Sequence, residues 1–294
     1  MNYIKALSID IHFYEMIQLS DTPIFIHSVF ARTINIMVNS ELFTISSNQL
    51  DNAPATMRID LISFENFNLN PNDTIILTDS KMKVSDSLFI DLNSATLWKS
   101  ELPRYPINNN QLNNNVHFAK EFTIEKGKAD WLRGTNDKQT LFYDEMGRML
   151  RERTSNLMDS FLFEDTIINL KKSMKLVGLG QGLTPSGDDF LVGVMLAFST
   201  VDSNLFNKKD WALQVVQESK ERTNSISYSA LKYAEMGETR ESIGLLIQAL
   251  FKDSKEILER ELLNVMNIGS SSGTEIIWGI INGLLVILKI GGLK

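Results

Sequence analysis

The most restrictive feature of this chain is where its glycines lie. All 16 fall at or beyond Gly127, and the first 126 residues hold none; five of the six prolines fall before residue 110. A stretch of that length without glycine must make every tight turn with residues that carry a Cβ. Asn and Asp best tolerate the positive φ such turns need, and Asn is abundant here. The two halves are therefore built by different rules, and a division into residues 1–126 and 127–294 is expected.

In the glycine-free half, apolar residues alternate with others over His27–Asn39, Leu42–Ser46 and Met57–Phe64. Short runs rich in Ile, Leu and Phe follow at Asp73–Thr78 and Ser87–Leu92. Period-two alternation marks a half-buried strand. Pro54, Pro71 and Asn–Asp clusters separate the runs, a spacing that predicts a small antiparallel sheet or barrel. Asn108–Asn115 is polar and aperiodic and is expected as an exposed loop.

Beyond it the period changes. Apolar residues recur at steps of three and four over Gln139–Met158, Phe161–Met174, Asp189–Phe198, Ser227–Met236, Ser242–Phe251 and Ile257–Met266, which predicts helices. Thr274–Lys289 is apolar nearly all round and is expected as the buried central helix. Within it Gly279 and Gly283 lie four apart, which permits close backbone contact with a neighbour. The predicted class is α+β, an N-terminal, mostly antiparallel β region packed on a C-terminal, mostly α-helical region.

Composition removes several functions. With 43% hydrophobic residues the chain can bury a core. A net charge of −7 without a basic block argues against nucleic acid and against an anionic membrane surface. The absence of cysteine excludes disulfides, thiolate catalysis and iron–sulfur clusters. Lys5, Asp10 and Glu15 interrupt the first residues, so no signal peptide is expected. The longest uncharged apolar run, Ile276–Leu288, has 13 residues and contains Asn282, too short to span a bilayer. A cytoplasmic protein is expected.

The most informative segment is Gly178–Asp189, GLGQGLTPSGDD, followed by the apolar FLVGVMLAF. It reads as a flexible loop feeding a helix N-terminus. Thr184 can cap that helix with Pro185 in its first turn, or Ser186 can cap it. Gly180, Gly182 and Gly187 lack side chains, so their N–H groups can approach a ligand, and the helix dipole favours an anion. Asp188 and Asp189 suit the dipole but oppose a bare anion. They can hold a divalent cation that bridges to the ligand, accept hydrogen bonds from the loop or from a substrate amide, or only cap the helix. Capping explains any one of these residues but not their density. No Lys follows the glycines as in a P-loop, and no βαβ context supports a dinucleotide fingerprint.

A second donor-rich helix start lies at Gly269–Glu275, GSSSGTE. Ser272 and Glu275 form a capping-box pattern, while Ser270, Ser271 and Gly273 add hydroxyl and N–H donors that capping does not require. A third segment, Arg222–Gly237, places Arg222 and Thr223 ahead of a helix. Arg222 is the one cation adjoining these hydroxyl clusters in sequence, and its guanidinium suits carboxylate or phosphate; a solvated surface role fits it equally. His12, His27 and His117 have no metal-type spacing, and no Gly-x-Ser-x-Gly or His-Glu-x-x-His pattern occurs.

GLGQGLTPSGDDFLVG (Gly178–Gly193) resembles the signature of the AllH-like family. Thr223–Gly237 and IGSSSGTEIIWGI (Ile268–Ile280) are also similar to that family, and His27–Ile36 is more loosely so. Gln181 stands where the family often has proline. The resemblance implies a subunit of oxamate carbamoyltransferase, working with FdrA-like and AllG-like partner subunits in anaerobic allantoin and purine breakdown. The implied reaction interconverts oxalurate plus phosphate with oxamate plus carbamoyl phosphate, a substrate that a carbamate kinase can then use to make ATP. No redox cofactor is implied.

On this reading Gly180, Gly182, Thr184, Ser186 and Gly187, with Thr223, Ser270, Ser271, Ser272 and Gly273, line one anion site. Asp188, Asp189 and Arg222 are the candidate catalytic groups. Two other readings stand beside it: a non-catalytic interaction subunit of the same complex, and a metal-dependent hydrolase using Asp188, Asp189 and Glu275.

Overall fold

The computed structural model describes residues 3–19, 23–78, 80–106, 109–134, 141–163, 165–201 and 208–291. By its contacts the chain forms two compact units, Met1–Ser100 and Glu101–Lys294. The first is strand-rich and the second helical, the α+β class expected.

In the first unit β1 (Ile4–Asp10) leads into a helix, α1 (Ile11–Leu19). Strands β2 (Ile24–Val29), β3 (Thr33–Val38), β4 (Glu41–Ser46), β5 (Thr56–Ile59), β6 (Thr74–Thr78), β7 (Lys81–Lys83), β8 (Phe89–Asp91) and β9 (Thr96–Trp98) follow. Among the described residues they form one sheet, ordered β5-β4-β3-β2-β6-β7-β8-β1-β9. A further β5–β1 pairing closes it into a barrel. Pairing is mostly antiparallel, with β4–β5, β1–β8 and β1–β9 parallel.

Cross-strand partners share a face. Ile26 opposes Ile36, Ile36 opposes Phe43 and Ile34 opposes Ile45, and all are buried. The other face carries a polar ladder in which Asn35 donates to Ser28 Oγ at 3.0 Å and accepts from Thr44 Oγ1 at 2.9 Å. Without glycine, Asn39 (φ 51°) and Ser40 (φ 65°) make the β3–β4 turn and Asn72 (φ 72°) precedes β6, so Asn serves where expected. Ala55 (φ 50°) has no polar side chain to help; Asp10 Oδ1 accepts its N–H at 2.7 Å.

The run His27–Asn39 is not one strand. It breaks at Phe30, whose N–H bonds Thr33 O at 2.8 Å, and residues on either side pair as β2 and β3. Ala31 and Arg32 turn the chain there, and neither is a turn signal. Helix α1 also goes beyond the expected strands: Phe13 and Met16 bury one of its faces.

The helical unit begins with α2 (Asn109–Lys126), followed by a 3-10 turn at Asp130–Leu132, α3 (Leu141–Phe163), α4 (Thr166–Ser173), α5 (Ser186–Ser199) and α6 (Lys208–Ser219). Then come α7 (Ser225–Glu235), α8 (Glu241–Lys252), α9 (Lys255–Met266) and α10 (Ser272–Gly291). The expected loop Asn108–Asn115 is corrected: Asn108 lies outside the described residues, and the rest opens α2. Leu112, Val116, Ala119 and Thr123 bury one helical face, and that burial outweighs the poor helix propensity of Asn. Asn115 is buried too, its Nδ2 donating to the carbonyls of Ala249, Leu250 and Asp253 at 3.1–3.2 Å and so capping the end of α8. The helix expected from Gln139 is described from Leu141. The one expected over Phe161–Met174 is divided, because Asp165 caps α4 by accepting Ile168 N–H at 3.0 Å.

Helices α5 and α10 make the most extensive helix–helix contact. Gly193 is the eighth residue of α5 and meets Gly279, the eighth of α10; Ala197 and Gly283, each the twelfth, meet next. Equal offsets mean that the helices run parallel with their N-termini at one end. A Cβ at Gly279 would overlap the carbonyl of Phe190, so glycine is what lets the backbones touch. At 20 residues α10 is longer than its uncharged run and is long and apolar enough to cross a membrane, but 67% of its most apolar stretch is buried, as in a core helix.

Candidate functional site

Parallel packing brings the two donor-rich helix starts together. Thr184 Oγ1 lies 2.7 Å from Ser272 Oγ, 88 positions along the chain. The local caps differ from expectation. Pro185 is the N-cap of α5 (φ −55°, ψ 139°), its carbonyl accepting the N–H groups of Asp188 and Asp189 at 2.9 and 3.2 Å. Thr184 and Ser186 are thereby released from capping. Ser272 and Glu275 do not form a capping box either. Ser272 is the first residue of α10, and Glu275 receives the indole N–H of Trp131 at 3.0 Å and the hydroxyl of Ser271 at 3.4 Å.

Three carboxylates lie beneath these loops: Asp188, Asp189 and Glu275, each at most 3% exposed. Asp188 accepts the Gly178 N–H at 2.9 Å and the Thr223 hydroxyl at 2.5 Å. Burial raises its pKa, and those two donors oppose the rise. Burial also pushes Asp189 well up, reinforced by the charge of Glu275 and opposed by the hydroxyls of Thr184 and Ser272. Its Oδ2 is fully buried and has no hydrogen-bond partner among the described residues. Glu275 is raised by burial, against the pull of Ser186, Trp131 and Ser271. Ser186 and Ser271, from the two different helix starts, thus converge on one carboxylate.

Above the carboxylates the loop tips are open: Gln181, Gly182 and Leu183 are exposed, as are Gly269 and Ser270. Gly180 (φ 126°) packs against Ser186, where a Cβ would collide with its backbone nitrogen. Gly187 and Gly273 are buried within the first helical turns, pressed against the carbonyls of Leu176 and Val265. Thr223 is brought into the cluster through Asp188. Arg222 contributes its backbone carbonyl, which abuts Gly178, while its side chain is exposed.

Two residues at this place escape sequence reasoning. Trp131 sits in the 3-10 turn and holds Glu275. Lys128 bonds Thr274 Oγ1 through its backbone N–H at 3.0 Å and Asn267 Oδ1 through Nζ at 2.8 Å. Both lie in the segment Gly127–Gly134, which has no periodic relation to either motif; only its paired glycines mark it.

The donor directions decide what the site can do. A hydroxyl that gives its proton to a carboxylate keeps only acceptor capacity for anything else. Thr223 and Ser271, which donate to Asp188 and Glu275, therefore offer lone pairs to a ligand's N–H groups. N–H groups at the start of a helix offer the complementary donors, and two parallel dipoles add at this end.

Fold and site together define a two-unit α+β protein with a polar site at paired helix starts. Two family models match the chain: the AllH family N-terminal domain over residues 5–97, and oxamate carbamoyltransferase subunit AllH over residues 176–284. The second range holds both helix starts. The matches span most of the chain, which belongs to the AllH family, a family named for one subunit of a carbamoyltransferase. No solved structure matches it.

Proposed function

We propose that this chain acts, in the cytoplasm and with FdrA-like and AllG-like subunits, in interconverting oxalurate plus phosphate with oxamate plus carbamoyl phosphate. The observation that carries the reading is the contact of Thr184 with Ser272, which makes one site of two helix starts. Loop N–H groups at Gly180, Gly182, Ser270 and Ser271 hold the anion. Hydroxyl oxygens of Thr223 and Ser271, their protons directed to the buried carboxylates, accept from the substrate's amide, beside Ser186 and the hydrogen-bonded hydroxyls of Thr184 and Ser272. Arg222 supplies positive charge from the exposed side.

In the phosphorolytic direction a phosphate oxygen bonds the terminal ureido carbonyl carbon of oxalurate. The bond from that carbon to the oxamate nitrogen breaks, and this nitrogen takes up the proton that phosphate gives up. Such a transfer is helped by positioning and by donors aimed at the developing oxyanion, and it needs neither Cys nor His. Asp188 and Asp189 orient the hydroxyls, or bind a divalent cation at the same place.

Oxalurate phosphorolysis by the assembled subunits, comparing wild type with Asp188→Asn, tests this. A fall of at least about tenfold is expected, and undiminished activity overturns the role of Asp188. A second reading, an interaction subunit whose partners hold the chemistry, is favoured by Leu183, an apolar side chain 59% exposed at the tip of the glycine loop. Oxamate or carbamoyl phosphate binding to the partner chains alone selects it.

A further inference from the structure

The helical unit carries a cavity of about 330 Å³, lined by polar and apolar side chains, between α2, the 3-10 turn, α3 and α10. Its walls include the indoles of Trp131 and Trp278 with Met158 and Leu162. Lys120, Arg151 and Lys289 also line it, against a single acid, Asp159. A local excess of positive charge in a chain of net charge −7 is a departure from its surroundings. Arg151 is held in place, its Nη1 donating to the Trp131 carbonyl at 2.7 Å. Asn282 donates to the Trp278 carbonyl at 2.8 Å, which leaves its Oδ1 as an acceptor.

We propose that this cavity binds a small amphiphilic anion, a flat apolar body carrying one acidic group. Aromatic walls favour a planar guest through stacking and edge contacts. The cations select against a neutral guest of the same shape. The volume lies at the lower end of small-molecule sites, about 300–1,000 Å³, which limits the guest to one or two rings. Trp131 links this cavity to the helix starts, since its ring lines the cavity while its N–H holds Glu275. The proposal is independent of the carbamoyl-transfer reading, and neither depends on the other.

Isothermal titration calorimetry of the full chain with 2-naphthoate tests it, with the neutral 2-naphthamide as the matched control. Saturable binding of one equivalent is expected, with the amide at least about fivefold weaker, the scale of one ion pair of about 1 kcal/mol. The double variant Lys120→Gln/Lys289→Gln is expected to weaken 2-naphthoate by a similar factor and to leave 2-naphthamide unchanged. Trp278→Ala is expected to weaken both ligands. The lysines tolerate change without loss of the core, and a thermal melt confirms that each variant is folded. Absence of saturable binding to wild type, equal affinity for acid and amide, or an unaltered double-lysine variant overturns the proposal.

Discussion

The hydroxyl of Thr184 lies 2.7 Å from that of Ser272, and this contact joins the loop before α5 to the start of α10. It exists because Gly193 and Gly279 let the two helices run side by side in equal register, so that their N-termini finish level. Two donor-rich helix starts thereby become one place with a shared set of buried carboxylates.

Thr184→Val and Ser272→Ala are expected to be coupled. Each removes one hydroxyl, and the second removal costs less once the first is made. A double-mutant cycle by urea unfolding should give a coupling of about 0.5–1.5 kcal/mol, the worth of one hydrogen bond. Strict additivity would mean that the two hydroxyls do not share a bond.

Asp189 contributes to the pH dependence, together with Asp188 and Glu275, which burial also raises. Burial and the charge of Glu275 raise its pKa, so the folded chain holds this proton more tightly than the unfolded chain does. The linked stabilisation is complete below about pH 4, the range of an unfolded Asp, and is lost as pH rises through the elevated folded value. Asp189→Asn removes the charge that becomes unfavourable. Its melting temperature relative to wild type should therefore rise between pH 5 and pH 8, by roughly 2–4 °C for each kcal/mol relieved. A difference independent of pH contradicts the assignment.

Gly279→Val places side-chain atoms where the Phe190 carbonyl and the Gly193 Cα now lie. A loss of about 1–3 kcal/mol or more is expected in urea unfolding, since backbone cannot rotate aside as a side chain can. Gly291→Ala, where nothing among the described residues lies within 4 Å of an added Cβ, is the control and should stay within about 0.5 kcal/mol of wild type.

Asn115→Leu keeps the volume but leaves the carbonyls at the end of α8 without their donor. The cost of such unsatisfied buried groups is about 1–3 kcal/mol. Faster amide exchange in α8 should accompany it, and unchanged exchange would show that the cap does not hold that end.

Much of the barrel is legible in the sequence because alternation reports which face of a strand is wet, as in β4, while β6 shows as a short run rich in Ile and Leu. The turn at Ala31–Arg32 is not, since neither residue announces a reversal. In α2 the apolar spacing Leu112, Val116, Ala119 starts inside an Asn-rich stretch that shows only one apolar residue by itself. The glycine loop and the serine turn stand out as unusual segments, but their meeting depends on Gly193 pairing with Gly279, a tertiary fact that neither helix encodes alone. The bond from Trp131 to Glu275 spans 144 positions and leaves no local trace.

The shared site is tested most directly by titrating the ¹⁵N-labelled full chain with oxamate and with phosphate while following individual backbone amides. The account predicts that Gly180, Gly182, Ser270 and Ser271 shift together with a single midpoint for each ligand. Shifts confined to one loop, or different midpoints for the two loops, would contradict it.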